Sequence, residues 1–419
     1  MPGLSFNLAR LLTKSSLLFG RLERDPELPE CALEEMKASK SASLAIFGLA
    51  LAPWFYAGAQ LADSAGRPVL PYPTYSYADA EQNYPRHIVD PNLPGNLRVL
   101  DNTPANNPVT NAGATLGRVI FYDKRLSRNM TVSCGSCHLQ SRGFTDPARF
   151  STGVHGGMTS RNSMGLGMAR YYPNGRFFWD ERAPTLEAQV LMPIQDALEM
   201  DMTLPEVVAR LQQTSFYGKL FTDAFGSPTI NSDRIARAMA QFVRSMVNSK
   251  SKFDSAFNAN GQPNFQGTLT QEEFLGLRLF QPVPGLPNIS RGCNACHVAV
   301  GQVSTQARNN GLDLNTPGGG RFKSPSLRNI AVTGPYMHDG RFSTLRQVID
   351  FYNSGVQDNP FLDPLLRDQQ GRPRRLNQTE TEKQALEAFL RTLTDQSYLT
   401  DAKFSNPFVS SGTDRGQIH

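Results

Sequence analysis

The sequence predicts a mainly α-helical protein built from two tandem copies of one small helical unit. Three observations carry that prediction. Extended alternating runs are scarce along the chain. The segment "LGRVIF" (116–121) returns as "LGLRLF" (275–280), with Leu116/Leu275, Gly117/Gly276 and Phe121/Phe280 sharing one offset of 159 positions. At that same offset, "CGSCH" (134–138) returns as "CNACH" (293–297).

The elements follow in order. The first copy opens with a helix through 116–121 and closes with an amphipathic helix, "AMAQFVRSMVN" (238–248). A Gly-, Asn- and Pro-containing stretch, "NANGQPNFQG" (258–267), reads as the linker. The second copy opens with a capping box, Thr270 to Glu273, before the helix through 275–280. It closes with "ALEAFLRTLTD" (385–395), in which Phe389 matches Phe242. Between them, "STLRQVIDFYNSG" (343–355) places Leu345, Val348, Ile349 and Tyr352 on one apolar stripe of a helix. The expected domains are 60–257 and 268–419, joined by 258–267, after an N-terminal extension and signal over 1–59.

A chain of 419 residues with 39% hydrophobic and 19% charged residues is globular and has ample core. Its formal charge of +5 is spread along the chain. The densest basic run, "GRPRRLN" (371–377), lacks interleaved aromatics and reads as a solvated loop, so no nucleic-acid partner is expected.

From Met36 the chain reads as an export signal. Lys37 and Lys40 are basic, 42–56 is apolar, and Ala57-Gly58-Ala59 is a small-residue cleavage site. The reading is a start at Met36 and cleavage after Ala59. The competing membrane anchor would be short for a span of about 20 residues and would contain Pro53. A periplasmic protein with no stable membrane span is therefore expected.

Of five cysteines, Cys31 precedes the suspected start, and the others form the two C-x-x-C-H motifs. C-x-x-C-H is the attachment pattern of c-type haem. Two thiols three residues apart each form a thioether to one porphyrin, and the adjacent imidazole reaches the iron. Zinc would want four soft ligands close together, and a thioredoxin-like redox pair would not need the histidine. Two such motifs predict two covalent haem c groups. They are held by Cys134, Cys137 and His138, and by Cys293, Cys296 and His297. The fold class is thus two tandem cytochrome c-like domains, each enclosing one haem.

The stretches "LGRVIFYDKRLSRNMTVSCGSCH" (116–138), "RNSMGL" (161–166), "GRFFWDERAPTLEAQVLMPIQDALEM" (175–200) and "FKSPSLRNIAVTGPYMHDGRFSTLRQVIDFYNSG" (322–355) resemble the bacterial di-haem cytochrome c peroxidase/MauG family over 100–400. The resemblance implies that the N-terminal haem, on His138, is the peroxide site. It also implies that Trp179 lies between the haems, that Gln189 and Glu199 are distal residues, and that the distal-loop proline is Pro193. A calcium ion between the haems would be held by Asn162 and the carbonyls of Thr333 and Pro335. The chemistry of these side chains agrees. A carboxylate can accept a proton from peroxide and return it, an amide can donate without titrating, and an indole is oxidisable. In the peroxidase branch a loop histidine can also ligate the first haem, and His155 falls near that place. MauG-like members leave that haem open.

Two side chains compete to be the sixth ligand of the second haem. Met337 supplies a thioether, the partner of histidine in high-potential cytochromes. The resemblance places the ligand nineteen residues after Thr333, at Tyr352, where peroxidases have methionine and MauG has tyrosine. The reading is His297–Tyr352, with Met337 the alternative. The expected function is reduction of hydrogen peroxide with electrons from a small redox protein such as cytochrome c, with a homodimer as a possible assembly. MauG-like oxidation of tryptophan or other residues of a partner protein is one alternative. A non-catalytic electron-transfer cytochrome is the other.

Overall fold

The computed structural model describes residues 66–78, 84–313 and 319–408. The export signal read from Met36, its cleavage point at Ala59, Cys31 and His419 lie outside those residues. Among the described residues strand pairing is confined to isolated bridges, and no helix is long and apolar enough to cross a membrane.

Seven helices position the site: α1 (Asn111–Tyr122), α2 (Leu204–Gln212), α3 (Tyr217–Phe225), α4 (Ser232–Arg244), α5 (Gln271–Phe280), α6 (Leu345–Asp350) and α7 (Glu380–Arg391). Their starts are set by local chemistry. Thr110 accepts from the Gly113 amide at α1, and Asn231 from the Arg234 amide at α4. The Thr270–Glu273 box caps α5, and Thr379–Glu382 caps α7 in the same way. Such caps each contribute about 1 kcal/mol.

The repeat is a repeat of packing. α1 crosses α4 at Gly117, where a Cβ would lie 2.0 Å from the Ala238 carbonyl oxygen. α5 crosses α7 at Gly276, where a Cβ would lie 1.9 Å from the Ala385 carbonyl oxygen. Only glycine permits so close a backbone approach. Around each crossing one aromatic pair recurs. Phe121 lies 5.4 Å from Phe242, and Phe280 lies 5.2 Å from Phe389, between ring centroids. Each pair is worth about 0.5–1.5 kcal/mol beyond its buried area. The first core gathers Leu116, Val119 and Ile120 against Val207, Phe221 and Met239. The second gathers Leu277 and Leu279 against Leu386 and Leu390.

The halves are stitched together by distant segments. Tyr398 and Phe404 pack into the aromatic cluster of Phe121, Phe144 and Phe242. Asp395 accepts from the backbone amides of Ser249 and Lys250. Buried Asp254 accepts from Arg328 and pairs with His87. Phe253 and Phe265 join the second core, and 258–267 forms a turn about Asn258 that leads into a helical turn, Phe265–Thr268.

The helix read over 343–355 is α-helical only to Asp350. Phe351–Gly355 continues as one π-helical turn. Leu376 donates to the Asn353 carbonyl and Gln378 to its side chain, so an outside strap holds the widened turn. Such insertions re-aim the side chains that follow and recur at functional sites.

Candidate active site

The first motif forms a short helical turn, Cys134–Cys137, started by Ser133 and Ser136. Cys134, Cys137 and His138 line a cavity together with Gln189, Pro193 and Glu199. His138 Nδ1 lies 2.8 Å from the Phe144 carbonyl oxygen, a bond that orients the ring and leaves Nε2 as the nitrogen suited to a metal. Burial lowers the imidazole pKa, which favours the neutral form that binds metal. Gln189 ends the helical turn Leu186–Gln189, capped by Thr185. Glu199 follows a turn in which Asp196 Oδ1 accepts from the Leu198 amide. Burial, helped by the nearby Asp196 charge and opposed by Arg182, raises the Glu199 carboxyl to about 7.

The second motif places Cys293, Cys296 and His297 on another cavity, with Met337 and Tyr352 among its lining residues. Burial lowers His297 to about 4, with a hydrogen bond to the Gln302 backbone opposing. Tyr352 lies in the π-helical turn, and burial pushes its phenol up to about 12, with Asn310 opposing. Neither cysteine pair closes a disulfide. Each cavity thus offers two free thiols and one half-buried imidazole, the donor set that covalent haem requires.

A wall shared by both cavities contains Asn162, Trp179 and Lys323. The Trp179 indole donates to the Asn162 carbonyl across 2.8 Å, and the Lys323 amide donates to the Trp179 carbonyl across 2.7 Å. Thr333 and Pro335 line the second cavity with Asn162. The Asn162 amide nitrogen donates to the carbonyls of Ala148 and Arg149, which leaves its oxygen as the atom suited to a cation. Neutral oxygens of this kind are calcium donors.

His155 is not brought to either cavity. It is exposed and lies 2.9 Å from Asp201. His338 stacks on Phe322 and pairs with Asp313 at 2.8 Å, so it is occupied as a positioning group.

Several groups escaped the sequence reading. Arg374, read as part of a solvated loop, lines the second cavity, as do Arg308 and Asn310. Their cue is chain distance closed by folding, which no local pattern carries. Lys323 is buried with its ammonium 4.0 Å from the Tyr172 ring centroid, and burial lowers it to about 7. Tyr172 lines the first cavity and donates to Glu181, whose φ of +57° is left-handed.

Two helical halves, each closing on a C-x-x-C-H cavity and divided by one shared wall, define a di-haem c-type cytochrome. Residues 111–262 match the family described as di-haem cytochrome c peroxidase. The chain is 33% identical to a methylamine utilization protein MauG of Methylorubrum extorquens, over 69% of this chain and 80% of the relative. It is also 33% identical to the cytochrome c551 peroxidase of Nitrosomonas europaea, over 67% and 79%. A solved MauG-like protein associated with microbial copper homeostasis superposes with a TM-score of 0.60 at 32% identity, covering 73% of this chain and 96% of that one. The chain belongs to the di-haem cytochrome c peroxidase family that includes MauG.

Proposed function

We propose that this protein is a periplasmic di-haem peroxidase, exported by cleavage after Ala59. It would reduce hydrogen peroxide to water with electrons from a small redox protein such as cytochrome c. The observation that carries the reading is Glu199: a half-buried carboxyl, raised to about 7, in one cavity with His138 and Gln189. Bound at the two motifs, the haems supply the redox chemistry and the store of electrons. Around them the chain supplies proton handling. A carboxyl with a pKa near neutrality takes a proton from one peroxide oxygen and returns it to the departing one. Gln189 donates an N–H to negative charge without itself titrating. Trp179 offers an oxidisable ring in the wall between the sites.

His138 and His297 would ligate the irons, with Tyr352 as second ligand at the C-terminal haem. Calcium would take the Asn162 side-chain oxygen and the carbonyls of Thr333 and Pro335, with water completing its shell.

The test is steady-state turnover of the holoprotein with hydrogen peroxide and reduced cytochrome c. Wild type should oxidise the cytochrome, and Glu199→Gln should lose about 10²–10⁴ in rate, the usual value of a positioned acid–base group. Two haems that never respond to peroxide would leave an electron-transfer cytochrome.

Tyr352 favours a second reading, MauG-like oxidation of a partner protein. A phenolate stabilises the higher oxidation states of iron, so a haem so ligated is suited to sharing an oxidising equivalent. A co-purifying protein whose mass rises on peroxide treatment would support it.

A further inference from the structure

We propose that Tyr172 is a redox-active side chain of the N-terminal haem site, giving up one electron to that site as its phenolic proton passes to Glu181. The inference rests on the peroxidase reading, which supplies the oxidant. Tyr172 is 2% exposed and lines the cavity that holds Trp179 and Glu199. Its hydroxyl donates directly to the Glu181 carboxylate.

The step balances. The electron leaves the Tyr172 ring for the haem centre that peroxide has oxidised. The Tyr172 O–H bond breaks, an O–H bond forms on Glu181, and a neutral tyrosyl radical faces a neutral carboxylic acid. Phenol oxidation without proton release would leave an uncompensated cation on a ring that is 2% exposed, which is costly in a buried setting. The proton therefore goes with the electron, to the carboxylate that already accepts its hydrogen bond.

Glu181 is built to receive that proton. Its left-handed backbone, φ +57°, carries a cost of about 1–3 kcal/mol for a residue other than glycine. It is held there by the Asn174 amide, which donates to the carboxylate across 2.7 Å, and by Arg176, which donates to its carbonyl across 2.9 Å. Asn174 is exposed, so the carboxyl has a way to exchange its proton with water. Trp179 has no such base. Its indole donates to a backbone carbonyl, which cannot take the proton.

The experiment is rapid-freeze electron paramagnetic resonance of the holoprotein after stoichiometric hydrogen peroxide, with and without ring-deuterated tyrosine. The expected result is an organic radical signal that narrows on deuteration and is lost in Tyr172→Phe. Its formation should slow about a hundredfold in Glu181→Gln, the lower value for removing a positioned base. A signal that does not narrow, or that survives Tyr172→Phe unchanged, overturns the assignment. Because the chain has 12 tyrosines, Glu181→Gln assigns the radical if Tyr172→Phe fails to fold, and a signal formed at the wild-type rate in Glu181→Gln overturns it as well. Haem absorption read on the same samples separates the two claims. A haem response without a tyrosyl signal overturns Tyr172 alone, whereas no haem response overturns the peroxidase reading and this inference with it.

Discussion

The Asn310 amide donates to the Tyr352 phenol across 3.4 Å, and the same nitrogen lies 3.8 Å from the Met337 sulfur. Both candidate ligands of the second haem therefore face one cavity and share one neighbour. Burial holds the Tyr352 proton tightly, to about 12, and Asn310 works against it by stabilising the phenolate. A metal in the proton's place would benefit from the same hydrogen bond.

Tyr352→Phe should accordingly change the absorption spectrum of the low-spin haem and raise its reduction potential, because an anionic ligand is lost. Met337→Leu should leave both unchanged. Potentiometric titration of the two variants checks this, and the opposite pattern would make Met337 the ligand.

The two glycine crossings make a stability prediction. Gly117→Ala and Gly276→Ala each force a methyl group onto a carbonyl oxygen at 2.0 and 1.9 Å. Each should cost about 1–3 kcal/mol or more, since backbone must move. Gly218, inside α3 with nothing nearer than 3.8 Å, is the control. Gly218→Ala should stabilise by about 0.5–1 kcal/mol. Thermal denaturation of the three holoproteins measures the difference.

The Glu199 carboxyl sets a pH dependence. Raised by burial to about 7, it is protonated below that value and cannot accept the first proton. The peroxide reaction should therefore slow as pH falls through about 7, and this acid limb should vanish in Glu199→Gln. Stopped-flow absorption across pH 5 to 9, a range set around that value, tests it. The stability linkage has a related sign. The folded protein keeps a proton that the unfolded chain releases near the ordinary carboxylate value, so this contribution declines as pH rises from about 4.5 to about 7.

Asp254 makes the opposite prediction. Burial favours its protonated form, but Arg328, His87 and Ser251 together hold it well below the usual carboxylate range. Its stabilising effect is present above the unfolded-chain value near 3.8 and is lost as pH falls below it. Asp254→Asn would leave the buried Arg328 guanidinium without its counter-charge, at a cost of about 3–5 kcal/mol. Chemical denaturation at neutral pH should show that loss, and the variant's acid unfolding should be correspondingly less steep.

Helix starts were legible because capping is local: Thr270 and Glu273 are three residues apart and satisfy each other. The haem motifs were legible for the same reason. The repeat showed Gly117 and Gly276 as equivalent, but their role as contact notches required the facing helices. The π-helical turn was not legible, because the stripe of Leu345, Val348, Ile349 and Tyr352 is equally good for an α-helix. The amides of Leu376 and Gln378 that bond Asn353 in the widened turn come from a segment more than twenty residues on. Arg374, Asn310 and Lys323 were hidden similarly, since each reaches its cavity by chain closure rather than by any pattern around it. The Tyr172–Glu181 pair spans nine residues, too far for a helical pair, and depends on a backbone conformation that composition does not announce.

Asn162, Trp179 and Lys323 line both cavities, tied together by the Trp179 indole donating to the Asn162 carbonyl and the Lys323 amide donating to the Trp179 carbonyl. A wall with two faces has no private side: a substitution made in it to alter one pocket alters the lining of the other. Variants at Trp179 or Lys323 are therefore changes to both sites at once, and each is to be read at both.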